Sequence, residues 1–114
     1  MNEYRRAKRR KVGDIDVIDT MTGQPVGKLS NLSETGMLMI LGQPIISDAL
    51  FQLRFTLTSE NGSSRNVDVG AHELWSDDAA APGQVWTGFR FIDVGPEGVA
   101  YIREWVDAPG SQYV

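Results

Sequence analysis

The sequence predicts a mostly β domain, a six-stranded antiparallel barrel or sandwich with one C-terminal helix packed against it and a flexible basic arm in front. Three observations predict it. Short apolar stretches recur with a period of two and are separated by clusters of Gly, Asn, Asp, Ser and Pro. The apolar period lengthens to three and four only near the C-terminus. Finally, 114 residues, 41% of them hydrophobic and none of them cysteine, suffice for one core that needs no metal or disulfide.

The elements follow in order. Asp14-Ile15-Asp16-Val17 alternates polar and apolar residues, as a half-buried strand does, and continues through Asp19. Thr20-Met21-Thr22-Gly23 turns the chain into a second strand, Gln24 to Leu32, anchored by Val26 and Leu29. After the turn Ser33-Glu34-Thr35-Gly36, the continuous apolar run Met37–Leu41 suits a strand buried on both faces. Phe51–Thr58 alternates without a slip, placing Phe51, Leu53, Phe55 and Leu57 on one face. The Asn61-Gly62 pair marks a hairpin, because both residue types tolerate positive φ, and the return strand runs from Asn66 to Trp75. A loop from Asp77 to Gln84 precedes the last strand, Val85–Phe91. Pro96 fits the first position of a helix, Glu97 favours its positive dipole end, and Val99, Ile102 and Val106 line one face over about 10 residues. Three regions result: an arm at 1–12, the barrel with its helix at 13–108, and a frayed tail at 109–114.

Charge divides the chain unevenly. Residues 1–11 hold six basic residues against Glu3, a net +5, whereas the remainder carries −9, so the overall −4 conceals a basic arm on an acidic body. Such an arm points to an anionic partner. Several chemistries are excluded by inventory. Without cysteine there is no thiolate nucleophile and no Cys-based zinc site. His72 is the one histidine, placed mid-strand with no second imidazole beside it, and reads as a satisfied core or edge histidine. No serine lies in a nucleophile-elbow pattern, and the carboxylates lack acid/base or ligand spacing, so an enzyme is not expected. No apolar run approaches the ~20 residues of a membrane helix, and the charged N-terminus does not resemble a signal peptide, so a cytoplasmic protein is expected.

Two features remain. In the arm, Arg5 and Arg9, or Arg6 and Arg10, are four residues apart. Guanidinium forks bind phosphate bidentately and stack on flat rings, so on an extended arm such a pair can grip opposite sides of a compact dianion. In the turn, Asn31 offers an amide, Ser33 a hydroxyl, and Gly36 either a positive φ or room for a ligand at the backbone. An ordinary Ser-stabilised turn accounts for the same three residues.

Together, an Arg-x-x-x-Arg arm and an Asn-x-Ser-x-x-Gly turn about twenty residues later resemble the PilZ domain family, bacterial receptor modules for cyclic di-GMP. The order of strands, hairpin and terminal helix, and the Gly88-Phe89-Arg90-Phe91 strand, agree with that resemblance. It implies a non-enzymatic second-messenger receptor whose ligand is cyclic di-GMP and which holds no cofactor or metal. The implied ligand contacts are Arg5 with Arg9, or Arg6 with Arg10, on the phosphates and guanines, and Asn31, Ser33 and Gly36 on the other side of the nucleotide. The first arginine pair is preferred. Asn31 stands where Asp is more usual in the family and removes one negative charge there. Trp75 is added as a stacking platform. Ordering of the arm would pass the signal to a downstream protein partner. The alternatives are a PilZ-like interaction module that binds no ligand, and a nucleic-acid-binding barrel using the same arm; the −9 body argues against the second.

Overall fold

The structure, a computed structural model, describes residues 7–114. Six strands, β1 (Arg10–Asp19), β2 (Pro25–Leu32), β3 (Gly36–Leu41), β4 (Leu50–Thr58), β5 (Ser64–Asp78) and β6 (Val85–Val94), precede one helix, α1 (Pro96–Asp107). They close into a barrel in the order β1-β2-β3-β6-β5-β4, with every neighbouring pair antiparallel. Closure rests on the short β1–β4 seam, Ile18 opposite Arg54 and Asp19 opposite Leu53.

Alternation decides which side chains enter the barrel. In β4, Leu53, Phe55 and Leu57 are buried, Phe51 is half-buried, and Gln52, Arg54 and Thr56 face water. Val67, Val69 and Ala71 of β5 complete that wall. The hairpin between these strands turns at Gly62, whose φ of 86° is the left-handed conformation the Asn-Gly pair predicts. In β3 the expectation of burial on both faces is corrected. Met37, Met39 and Leu41 are fully enclosed, but Leu38 and Ile40 are only half-buried, because the wall of a closed barrel has one dry face.

Each end of the barrel is covered differently. Helix α1 begins at Pro96, carries Glu97 in its first turn, and buries Ile102 and Val106 against the core beside β4 and β5. At the other end the loop 42–49 folds inward. Ile45 packs on the core, and the Asp48 N–H donates to Glu73 Oε1 at 2.8 Å. The second oxygen of this buried carboxylate accepts from the Ser76 hydroxyl at 2.9 Å. Among the described residues no helix is long and apolar enough to cross a membrane.

The structure differs from the expected boundaries chiefly at the termini. β1 starts at Arg10, inside the region read as arm, because its backbone pairs with the end of β2, Arg10 opposite Leu32 and Lys11 opposite Asn31. The tail, expected to fray, is paired as well. The Lys11 N–H donates to Gln112 O at 2.8 Å, the Val114 N–H donates to Arg9 O at 2.9 Å, and the Tyr113 hydroxyl donates to Val106 O at 2.7 Å. The start of β1 projects past the β4 seam and leaves backbone groups open on that side; the tail satisfies them.

Candidate functional site

The turn between β2 and β3 is built around one hydroxyl. Ser33 Oγ accepts the N–H groups of Thr35 and Gly36, both at 3.2 Å, and donates within the turn to Gly36 O at 3.3 Å or Thr35 Oγ1 at 3.1 Å. A hydroxyl has one donor and two acceptor sites, so Ser33, fully enclosed, is saturated by its own turn. Gly36 is explained by strand packing. Its φ is not positive, and a Cβ there would collide with the Phe89 carbonyl oxygen of β6. The Phe91 N–H donates to Thr35 O at 2.9 Å, so β6 is bonded directly to the turn.

Asn31 is the polar residue of this motif that meets the arm. A register shift in β2 between Leu29 and Asn31 places Asn31 opposite Leu38 of β3 and Lys11 of β1. Its Oδ1 accepts from Arg9 Nη1 at 2.9 Å. The arm and the turn, far apart in sequence, therefore meet. Arg10 goes the other way. Its guanidinium lies 3.8 Å from the centroid of the Trp105 ring and Nη1 donates to Trp105 O at 2.6 Å, on helix α1. Successive strand residues project to opposite faces, so only one of the two can face the turn. Of the two registers left open by the sequence, the one containing Arg9 meets Asn31. Arg5 and Arg6 lie outside the described residues.

Trp75 lies on the outer wall. It is 47% exposed and its indole covers Gly88, where any Cβ would strike the ring nitrogen. Strand register puts Asn31, Leu38, Gly88 and Trp75 in one row across β2, β3, β6 and β5. Residues opposite one another share a face, so the row forms a shallow shelf: Arg9 and Asn31 at one end, Leu38 as floor, an exposed aromatic ring at the other. Leu38 was not singled out from the sequence, and Gly88 was noted only within the Gly88-Phe89-Arg90-Phe91 strand. The alternation of β6, with Thr87 and Phe89 inward, would have put Gly88 on the outer face.

Two contacts connect this shelf to α1. Arg103 Nε donates to Glu34 Oε2 at 2.9 Å, a bond that raises the arginine's affinity for its proton, and Arg10 stacks on Trp105 as described. A separate cavity of about 590 Å³ lies between the β4–β5 hairpin and α1, bordered by Arg10, Arg65, Tyr101 and Trp105. It does not include the turn. His72 Nε2 pairs with Asp48, in agreement with its reading as a satisfied histidine. Among the described residues no group of His, Asp and Glu could hold a metal.

Comparison with known proteins bears first on the fold. The chain is similar to the Bacillus subtilis inhibitor of motility (MotI/DgrA), with a TM-score of 0.71 and 14% identity over 89% of this chain. It spans 48%, about half, of that protein. It is also similar to the PilZ domain of YcgR from Escherichia coli, solved with c-di-GMP, with a TM-score of 0.59 and 16% identity over 88% of this chain and 86% of that one. A search of curated proteins finds no match. The sequence itself matches the model of one family, the PilZ domain, over residues 3–108, a span from the arm through the last turn of α1. With the barrel, the turn and both arginine pairs of the arm inside that span, the chain belongs to the PilZ domain family.

Proposed function

We propose that this domain is a receptor for cyclic di-GMP, bound on the outer shelf between the arm and the β2–β3 turn. The observation that carries the proposal is the bond from Arg9 to Asn31, which brings the basic arm onto the turn. Membership of the PilZ family and the likeness to a PilZ domain solved with c-di-GMP support the choice of ligand. The chemistry agrees. Cyclic di-GMP has two phosphates and two flat purines, and Arg9, with Arg5 four residues before it, supplies side chains able to address both. Asn31 offers an amide to a base or sugar edge, and Trp75 offers a half-exposed ring for stacking. Ser33 and Gly36 serve by shaping the turn. Arg10 is assigned to the helix, and with it the Arg6 register is set aside.

Binding and output are then joined through neighbouring residues. Drawing Arg9 onto a nucleotide pulls on Arg10 and so on Trp105, while a change in the turn acts through Glu34 on Arg103. Both routes end on α1, which is proposed to present the signal to a protein partner. No step of this scheme makes or breaks a covalent bond.

Titration calorimetry with cyclic di-GMP tests the proposal. Binding at micromolar ligand is expected, with a loss of roughly tenfold or more in Arg9→Ala, the scale of one hydrogen bond to a charged group. No heat at tens of micromolar, or unchanged affinity in Arg9→Ala, overturns it.

A further inference from the structure

Among the described residues, nearly every lysine and arginine side chain has a partner. Lys8, Lys28, Arg54, Arg65 and Arg103 each meet a carboxylate, while Arg9 and Arg10 are engaged at Asn31 and Trp105. The two side chains left over are Lys11 and Arg90, both exposed. In a body where acidic residues outnumber basic ones, two unmatched cations are not explained by a shortage of carboxylates. Their positions are informative. Lys11 stands directly opposite Asn31 on β1, and Arg90 directly opposite Gly36 on β6. Each is thus the cross-strand neighbour of a residue of the turn motif.

Arg90 also belongs to the shelf. It is two residues from Gly88 on the same outward face of β6, hence about 7 Å along the strand from the residue that Trp75 covers. It lies two strands from Asn31, about 10 Å across the wall, and two residues along the strand from Asn31's row. On β3 the residue opposite Arg90 is Gly36, which has no side chain, and the residue opposite Asn31 is Leu38, the floor of the shelf. A purine stacked on Trp75 therefore has one edge within reach of a planar guanidinium. Guanine offers two acceptors on its major-groove edge, N7 and O6, which an arginine fork fits bidentately. Adenine replaces one of them with an amino donor. The exposed Asp77, two residues beyond Trp75 on β5, repels phosphate at the far end of the shelf. The phosphates are thereby directed toward Arg90 and Lys11.

The geometry points to Arg90 as the residue that reads the guanine edge of the ligand, and to Lys11 as a point charge beside its phosphates. This assignment deepens the proposed function and rests on it. Arg90 selects guanine over adenine; Lys11 adds affinity without selecting.

The test is calorimetry on the full chain with cyclic di-GMP and cyclic di-AMP, in the wild type, Arg90→Ala, Arg90→Lys and Lys11→Ala. Arg90→Ala should lose about ten- to hundredfold for the guanine ligand and much less for the adenine ligand, the scale of a good bidentate contact. Arg90→Lys keeps the charge and should still lose the preference. Lys11→Ala should weaken both ligands equally, by an amount that shrinks as salt is raised. Since Arg90 is exposed and unpartnered, the thermal midpoint of its variants should not move. Wild-type affinity in Arg90→Ala, or an equal loss for both dinucleotides, overturns the assignment and leaves cyclic di-GMP binding intact. A wild-type chain that binds neither dinucleotide overturns the proposed function and this assignment with it.

Discussion

Ser33 accepts two backbone N–H groups in an enclosed turn, and its removal leaves both without a protein partner. Ser33→Ala should therefore cost about 1–3 kcal/mol of stability, the penalty of unsatisfied buried donors. Gly36→Ala should cost at least as much, because the Phe89 carbonyl is backbone and cannot step aside as a flexible side chain would. Thermal or urea unfolding of both variants checks this; a Ser33→Ala domain as stable as the wild type would mean that the turn does not depend on the hydroxyl. The motif was legible in the sequence as a pattern, but the tasks of its members were not. Ser33 and Gly36, readable in the linear order either as ligand contacts or as an ordinary Ser-stabilised turn, hold the turn and its packing on β6 in the fold. The choice between Arg9 and Arg10 was hidden for a related reason. Counting in twos from Ile15 and Val17 would send Arg9 inward, but the register shift between Lys11 and Ile15 inverts the parity, and Arg10 takes the inward place opposite buried Leu32.

Strands are where the sequence was most readable, since a side chain that must enter the barrel has to be apolar and its neighbour has no such constraint. β4 satisfies that rule at every position. The far end of β5 does not: Ser76-Asp77-Asp78 has no apolar signal, and it is extended because β6 pairs with it, Asp77 opposite Trp86 and Asp78 opposite Val85. Cross-strand ion pairs on the outer face add little individually. Arg54 and Asp68, opposite each other on β4 and β5, form one, with Nε donating to Oδ1 at 2.6 Å. The hydrogen bond from Arg54 holds the Asp68 carboxyl below its ordinary value of 3.8. A lowered carboxylate stabilises the fold fully above the unfolded value and loses that contribution as the pH falls through the folded one. The pair is about half exposed, so solvent screening keeps the effect small. Asp68→Asn should accordingly lower the urea midpoint slightly at neutral pH, with the difference from wild type closing below about pH 4. A difference that persists in acid would assign it to packing instead.

At the scale of the whole molecule, the arm, the β2–β3 turn, helix α1 and the C-terminal tail gather at one end of the barrel, and the loop 42–49 closes the other. The sequence showed the charge split that marks the arm but gave no sign that the tail would meet it, because Gln112, Tyr113 and Val114 contribute backbone bonds that no side-chain pattern encodes. This pairing sets how the two ends of the chain respond to tension. Arg9–Lys11 and Gln112–Val114 run antiparallel with Arg9 and Val114 at the same end, so a load that draws these two residues apart meets their bonds one after another, as a zipper does. The barrel strands are loaded only after that. In single-molecule extension from both ends, a small first step at low force should precede cooperative rupture of the barrel, and a record with one rupture alone would contradict it. Pulling the arm and freeing the tail are a single mechanical event, so a tether attached at the C-terminus would feel tension exerted on Arg9.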